Sequence, residues 1–457
     1  MVTHRFDPAI LRANDIRGVV GRTLHTADAR ALGEVFGTVI LERGGGALAV
    51  GRDGRTSSPD LEAALVTGLV STGLTVHRTG TCPSPALYFA VHHLGLDGGV
   101  MVTGSHNPPE YNGFKMMVGV EPFSGSDLAE RTRPGTRAPG QGRVCEAEVI
   151  GPWTRRLRDG LDISPALHVV WDCGNGAAGP ALAELCRTLP GQHRILFDEV
   201  DGRFPNHHPD PTVAANLAQL ATEVRLCHAD LGIAFDGDAD RIGVVDETGT
   251  ILPGDLLLAL FAEEVLREHP RSTVIADVKA SQVLFDRITE LGGKAVMWPS
   301  GHALVRRRMA ETGAVLAGEL SGHIFFADRY YGFDDAFYAA LRLLEILGRR
   351  HAPLSEFRDG LPRLANSPEL RFPCPDERKL AVVDDIRARL APRRDIEICT
   401  IDGVRVRSAD GWWLLRASNT QDALVARLEA ADSDGLARLH AELSELLSRA
   451  GLTLPGP

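Results

Sequence analysis

Residues 103–109 read Thr-Gly-Ser-His-Asn-Pro-Pro, directly after the β-like run Val100 to Val102. A strand that stops at Gly104 presents Ser105 and His106 side by side. The loop is stiffened by Pro108 and Pro109, and Lys115 opens the next β-like run. A hydroxyl held there can carry a covalent group, or it can satisfy backbone groups in an Asn-Pro turn. The nucleophile elbow of hydrolases is excluded, because it needs glycine two positions either side of the serine and the chain has Thr103 and Asn107. Lysine is scarce: of 49 basic residues only Lys115, Lys279, Lys294 and Lys379 are lysines. A compact ammonium shifts its proton affinity when desolvated, whereas arginine stays charged.

Asp236, Asp238 and Asp240 alternate in DGDADR behind the apolar GIAF. Three carboxylates so close repel one another, and a hard divalent cation relieves that cost; all-oxygen ligation suits Mg²⁺ or Ca²⁺. A solvated acidic turn is the plainer alternative. Glu247 falls at the twelfth position of a calcium loop, but Arg241 stands where such a loop needs glycine and the flanks read as strands, which excludes an EF-hand. FDGD also has the DxD spacing of haloacid-dehalogenase phosphotransferases, in which Asp236 would be the nucleophile. Gly174, Gly176 and Gly179 have GxGxxG spacing between a strand and a helix, with Asp198 or Glu199 further on. That is either the fingerprint of an NAD-dependent oxidoreductase or a tight turn that lets a helix pack closely. GELSGH, 318–323, alternates Glu319, Ser321 and His323 in a polar loop able to bond vicinal hydroxyls. RASNT supplies the Arg416 fork with Ser418, Asn419 and Thr420, a phosphate cradle or a polar loop. His302 precedes Arg306, Arg307 and Arg308, which read as a solvated helix face.

These groups need elements to hold them. The 457 residues, 44% hydrophobic and 24% charged, suit a large soluble chain of several domains. The net charge of −11 argues against nucleic-acid binding and requires any anionic ligand to find cations concentrated locally. Seven scattered cysteines without a CxxC pair predict reduced thiols and a cytoplasmic protein. No apolar stretch reaches membrane-spanning length. Alternating strand and helix patterns predict three similar mixed-sheet α/β domains, 1–150, 151–252 and 253–366, with a C-terminal α+β domain, 367–457. The Gly/Pro/Arg-rich stretch 131–143 reads as a loop, and ETG at 247–249 closes a hairpin. In the helix of GFDDAFYAALRLLEILG, Phe337, Leu341, Leu344 and Leu347 share a face, Asp334 or Asp335 caps it, and Gly348 stops it.

In collinear order, NDIRGVVG, GRDGR, TGSHNPPEYNGFK, PNHHPDP, DGDADR, GHALV, GELSGH, YGFDD and RASNT resemble the α-D-phosphohexomutase superfamily across nearly the whole chain. The resemblance is nearest to its bacterial bifunctional phosphomannomutase/phosphoglucomutases. It implies four domains around a central cleft, and a hexose 1-phosphate/6-phosphate mutase working through phosphorylated Ser105 and a hexose 1,6-bisphosphate, which also serves as activator. Asp236, Asp238 and Asp240 would hold Mg²⁺ with a phosphate oxygen on Ser105. Glu319 and Ser321 would bind O3 and O4, and Arg416, Ser418, Asn419 and Thr420 the non-reacting phosphate. Proton transfer would fall within Lys115, Arg241, His302 and His323, supported by Arg17, His106 and Lys279. The chain departs from the pattern in Asn14, where relatives commonly carry Tyr, and in Gln421-Asp422 after RASNT. Leu320, where glucosamine-specific relatives usually carry Gln, favours mannose and glucose over a phosphoglucosamine mutase. A monomer or weak dimer acting on small hexose phosphates, away from nucleic acid and membrane, is the expectation.

Overall fold

The computed structural model describes residues 4–12, 14–131, 140–418 and 422–456. Its strands form four sheets, and the first three repeat one plan. In the first, Gly98–Val102 joins Ala47–Arg52, Thr75–Thr81 and Arg143–Glu146 in a parallel set, then turns back as antiparallel Tyr111–Val118. In the second, Leu231–Phe235 runs parallel to Leu167–Asp172, beside Gly191–Leu196, and turns back as Ile242–Asp246. In the third, Leu316–Gly318 runs parallel to Thr273–Asp277, beside Lys294–Trp298, and turns back as Ile324–Phe326. The three reversals fall at residues 103–110, 236–241 and 319–323, so each carries one polar motif. Every residue of Gly98–Val102, Leu231–Phe235 and Leu316–Gly318 is buried. Polar side chains can therefore emerge only where such a strand ends, the usual place for a ligand site in an α/β sheet.

The helix Ala336–Arg350 welds the second and third sheets into one apolar core. Phe337 stacks on Phe235, with ring centroids 4.6 Å apart, and lies 4.9 Å from Trp153. Asp335 caps it, accepting from the Tyr338 N–H at 2.9 Å. The expected stop at Gly348 is not observed: the helix continues to Arg350 and ends on His351 in the left-handed conformation, φ 51°. Gly348 serves packing, since a Cβ there would lie 2.3 Å from Pro165.

The fourth sheet is antiparallel, in the order Ala365–Asn366, Ala423–Ala430, Gly411–Ala417, Val404–Ser408, Glu397–Cys399. Alternation along Gly411–Ala417 divides its side chains. Trp413 and Leu415 join the core shared with the helices Asp376–Leu390 and Ser433–Ser448, while Trp412 and Leu414 pack on Val278 of the third unit. Arg405 lies 3.7 Å over the Trp412 ring and donates to the Val278 and Ala280 carbonyls at 2.7 and 3.0 Å, docking the fourth unit on the third. The four units border a cleft of about 1060 Å³. The predicted 131–143 loop falls largely outside the described residues, and among the described residues no helix is long and apolar enough to cross a membrane.

Candidate active site

Ser105 adopts a left-handed φ of 50°, unusual for a residue with a side chain. Its backbone N–H is satisfied by the Thr103 hydroxyl at 2.8 Å, so its own hydroxyl is released from turn-making. That hydroxyl donates to Asp236 Oδ2 at 2.9 Å and lies 3.2 Å from His106 Nδ1. Burial, then the nearby Arg241 and Arg17, push the His106 pKa well down, keeping that ring neutral. Arg17 steadies the loop from the neighbouring strand through Asn107 Oδ1 and is itself paired with Asp15.

Asp236, Asp238 and Asp240 are each 0% exposed, which rules out a solvated acidic turn. Their ligand atoms lie within 4.8 Å of one another. Asp236 Oδ1 accepts from the N–H groups of Asp240 and Arg241, at 3.1 and 3.2 Å. Lys115 donates to Asp238 at 2.7 Å and also to Asp240. Asp238 Oδ1 and Asp240 Oδ1 stay buried without a hydrogen-bond partner among the described residues. Burial, then Asp240 and Asp238, push the Asp236 pKa well above the carboxylate range. Burial opposes the Lys115 ammonium, yet Asp238 and Asp240 hold its pKa well above the ordinary value. Three buried carboxylates thus face one another with Lys115 as their close cation, and two of their oxygens have no hydrogen-bond partner among the described residues. A divalent cation answers both conditions.

The same geometry removes the alternatives. Glu247 sits in a hairpin and bonds Ser355, so it is no calcium ligand to this loop. Asp236 is 0% exposed and does not border the cleft, which leaves it a poor nucleophile. At Gly176 a Cβ would lie 2.7 Å from the Gly237 carbonyl oxygen, and the Ala177 N–H donates to that oxygen at 2.9 Å. The aspartate loop occupies the place a dinucleotide pyrophosphate would need, so GxGxxG here is a close-packing turn.

The third loop meets the second directly. Arg241 Nε donates to His323 Nε2 at 3.0 Å, and His323 Nδ1 lies 3.0 Å from Asp334 and 3.7 Å from Asp240. Burial opposes charge on His323, but Asp240 and Asp334 outweigh burial and Arg241, and its pKa is raised. Its neighbour His302 is driven by burial down to about 4. Glu319 accepts from the Gly301 N–H at 2.7 Å, and burial raises its pKa. Lys279 lies 3.1 Å from Glu369 and 3.6 Å from Asp277. In the fourth unit Arg416 Nε donates to Asp402 at 2.8 Å, while its Nη2 is buried with no partner among the described residues. Asn14 also borders the cleft, with its amide against Gly301.

One cleft therefore collects Arg17, Ser105, His106 and Lys115 from the first unit and Arg241 from the second. It adds Lys279, His302, Glu319, Ser321 and His323 from the third, and Arg416 and Ser418 from the fourth. Asn419 and Thr420 lie outside the described residues. Asp422, a potential repellent for phosphate, is exposed and does not border the cleft. The clustered cations supply the local field that the acidic total denies.

Residues 9–124, 160–249 and 253–364 match the models for phosphoglucomutase/phosphomannomutase alpha/beta/alpha domains I, II and III, and 369–446 match that of its C-terminal domain. A phosphomannomutase/phosphoglucomutase of Pseudomonas aeruginosa is 43% identical over 452 residues, 98% of this chain and 97% of that one. The chain belongs to the phosphoglucomutase/phosphomannomutase family. It is a phosphohexomutase, an intramolecular phosphotransferase acting on hexose phosphates. A phosphoglucomutase of Neisseria gonorrhoeae is 41% identical over 436 residues, covering 94% of this chain and 95% of that one. The crystal structure of a family protein from Burkholderia thailandensis has a TM-score of 0.92 at 40% identity, covering 99% of this chain and 100% of its own.

Several groups of this phosphohexomutase escaped residue-level reading. Asp53, Arg55 and Asp334 lie in motifs whose wording was legible, GRDGR and YGFDD, but only the fold reveals what they touch. Asp402 and Glu369, which partner Arg416 and Lys279 at the cleft, carry no local signal at all.

Proposed function

We propose that this enzyme interconverts the 1- and 6-phosphates of mannose and glucose through a phosphoryl group carried on Ser105. The observation that carries the reading is the Ser105 hydroxyl, on the cleft wall and 2.9 Å from the buried aspartate triplet. Transfer breaks the bond from phosphorus to Ser105 Oγ and forms one to the free hydroxyl of the hexose monophosphate, giving a hexose 1,6-bisphosphate. The hydroxyl proton leaves to a base among Lys115, Arg241, His302 and His323, and a proton returns to Ser105 Oγ. The bisphosphate then turns over and gives its other phosphoryl group back to Ser105.

Asp236, Asp238 and Asp240 would hold Mg²⁺, which when bound neutralises charge on the transferring group. Glu319 and Ser321 grip O3 and O4, positions that mannose and glucose share. Arg416, whose Nη2 has no partner among the described residues, and Ser418 receive the non-reacting phosphate, and Arg17, His106 and Lys279 steady the two ends. Leu320 favours mannose and glucose, and a Thermococcus gammatolerans relative whose name carries phosphoglucosamine mutase is only 32% identical. Seven free thiols support a reducing, cytoplasmic setting.

Glucose 1-phosphate or mannose 1-phosphate with Mg²⁺ and a trace of glucose 1,6-bisphosphate should give the 6-phosphate, and Ser105→Ala should lose nearly all turnover. Full activity in Ser105→Ala, or glucosamine 1-phosphate turned over fastest, would refute the carrier and the sugar preference respectively.

A further inference from the structure

The serine loop is gripped from behind by one side chain. Arg55 is 1% exposed, and its Nη2 donates to the carbonyl oxygens of Ser105 and Asn107 at 2.7 and 2.6 Å. Its Nη1 donates to those of Pro108 and Tyr111 at 2.5 and 3.0 Å. Arg55 Nε donates to Asp53 Oδ2 at 3.1 Å, and that oxygen accepts from the Thr103 hydroxyl and the Gly104 N–H at 2.9 and 3.0 Å. One buried ion pair thus holds both arms of the loop. Gly104 admits it, because a Cβ there would lie 2.4 Å from Arg55 Nε. Gly237, in the aspartate loop, closes on the same peptide: a Cβ at 237 would lie 2.5 Å from the Ser105 carbonyl oxygen.

The Ser105 carbonyl is therefore held by a guanidinium of the first unit and closely approached by the backbone of the second. A left-handed residue with a side chain persists only where its surroundings impose that conformation. Here the imposed conformation aims the hydroxyl at Asp236.

We propose that Arg55 is a positioning residue for phosphoryl transfer, a role that rests on reading Ser105 as the phosphoryl carrier. Arg55 does not border the cleft, so it takes no part in holding the sugar or the distal phosphate. Releasing the Ser105 peptide lets the hydroxyl drift from the line of transfer, and a misplacement of about 1 Å costs roughly 100-fold in rate. The loss belongs in kcat, while the residues that set KM are untouched.

The test uses full-length Arg55→Met and Arg55→Lys enzymes with glucose 1-phosphate, Mg²⁺ and a trace of glucose 1,6-bisphosphate. Arg55→Met should lose about 100-fold in kcat with KM within about threefold. Arg55→Lys, a point charge that cannot serve four carbonyls, should recover only part of that loss. Loading each enzyme with glucose 1,6-bisphosphate and following Ser105 phosphate by intact mass, on mixing with glucose 1-phosphate, reads the transfer step alone; it should slow in parallel. A kcat within about threefold of wild type in both variants, or a loss confined to KM, overturns the assignment. If Arg55→Met fails to fold, a folded Arg55→Lys with lowered kcat and unchanged KM still supports it. Unfolding of both overturns it, because Arg55 would then serve the fold. If wild-type enzyme takes no phosphate at Ser105, the carrier reading itself fails and takes this role with it.

Discussion

Removing the Lys115 ammonium should destabilise the metal-free protein and make its stability depend on Mg²⁺. Lys115 is 4% exposed and contacts Asp238 and Asp240, both 0% exposed, while Arg241 approaches Asp236 only at 4.0 Å. Lys115→Met keeps the length and apolar stem but removes the close cation of both carboxylates, leaving Asp240, among the described residues, only His323 at 3.7 Å. Breaking a buried pair by deleting one partner costs about 3–5 kcal/mol, because the other charge remains desolvated. At about 2–4 °C per kcal/mol, the melting temperature in EDTA should fall by on the order of 10 °C. Mg²⁺ at 100 times its dissociation constant returns about 2.7 kcal/mol by mass action. At the same Mg²⁺ concentration the gain should exceed that of wild type, whose lysine already neutralises part of the cage and so weakens Mg²⁺ binding. Thermal unfolding of both proteins in EDTA and in saturating Mg²⁺ measures all four quantities. Equal melting temperatures in EDTA, or equal gains from Mg²⁺, would refute the idea that Lys115 balances the cage.

Three further outcomes follow from the same geometry. Because burial and its neighbours raise the Asp236 pKa, protons compete with Mg²⁺ for this site, so Mg²⁺ affinity measured by calorimetry should weaken as pH falls; an affinity independent of pH contradicts this. His302 is held by burial down to about 4, against about 6.5 unfolded, so below pH 6.5 the unfolded chain binds the extra proton. Stability should therefore fall between about pH 6.5 and 4, by at most about 3 kcal/mol from this group, and His302→Asn should flatten that slope in urea midpoints. Gly176→Ala places a Cβ 2.7 Å from the Gly237 carbonyl oxygen, so it should cost about 1–3 kcal/mol and weaken Mg²⁺ binding without changing any response to NAD. Unaltered Mg²⁺ affinity would show that this turn does not support the aspartate loop.

The motifs were legible because their chemistry is local. Alternating aspartates behind a buried strand, a serine before a double proline and an arginine beside hydroxyls each offer a candidate chemistry within six residues. Helix ends were less legible. Gly348 looks like a stop, but its missing side chain answers Pro165, nearly two hundred positions away in sequence, and nothing nearby in the chain records that contact. The GxGxxG turn misled for the same reason: the atom that its glycines admit is the Gly237 carbonyl, a partner chosen by the fold.

Residue types and spacing alone determined that this chain carries a candidate loop serine, three alternating aspartates, a polar Glu-Ser-His loop and an arginine beside hydroxyls, since side-chain chemistry is written in the sequence. Folding decided which of them meet. Three sheets that each reverse direction at the same corner bring loops 82 and 131 residues apart into hydrogen-bond contact. Burial there shifts the proton affinities of Asp236 and His302, and the aspartates brought to Lys115 shift its own against burial, in ways their neighbours in sequence do not foretell. Desolvation and charge proximity act through space, so they are properties of the packed molecule.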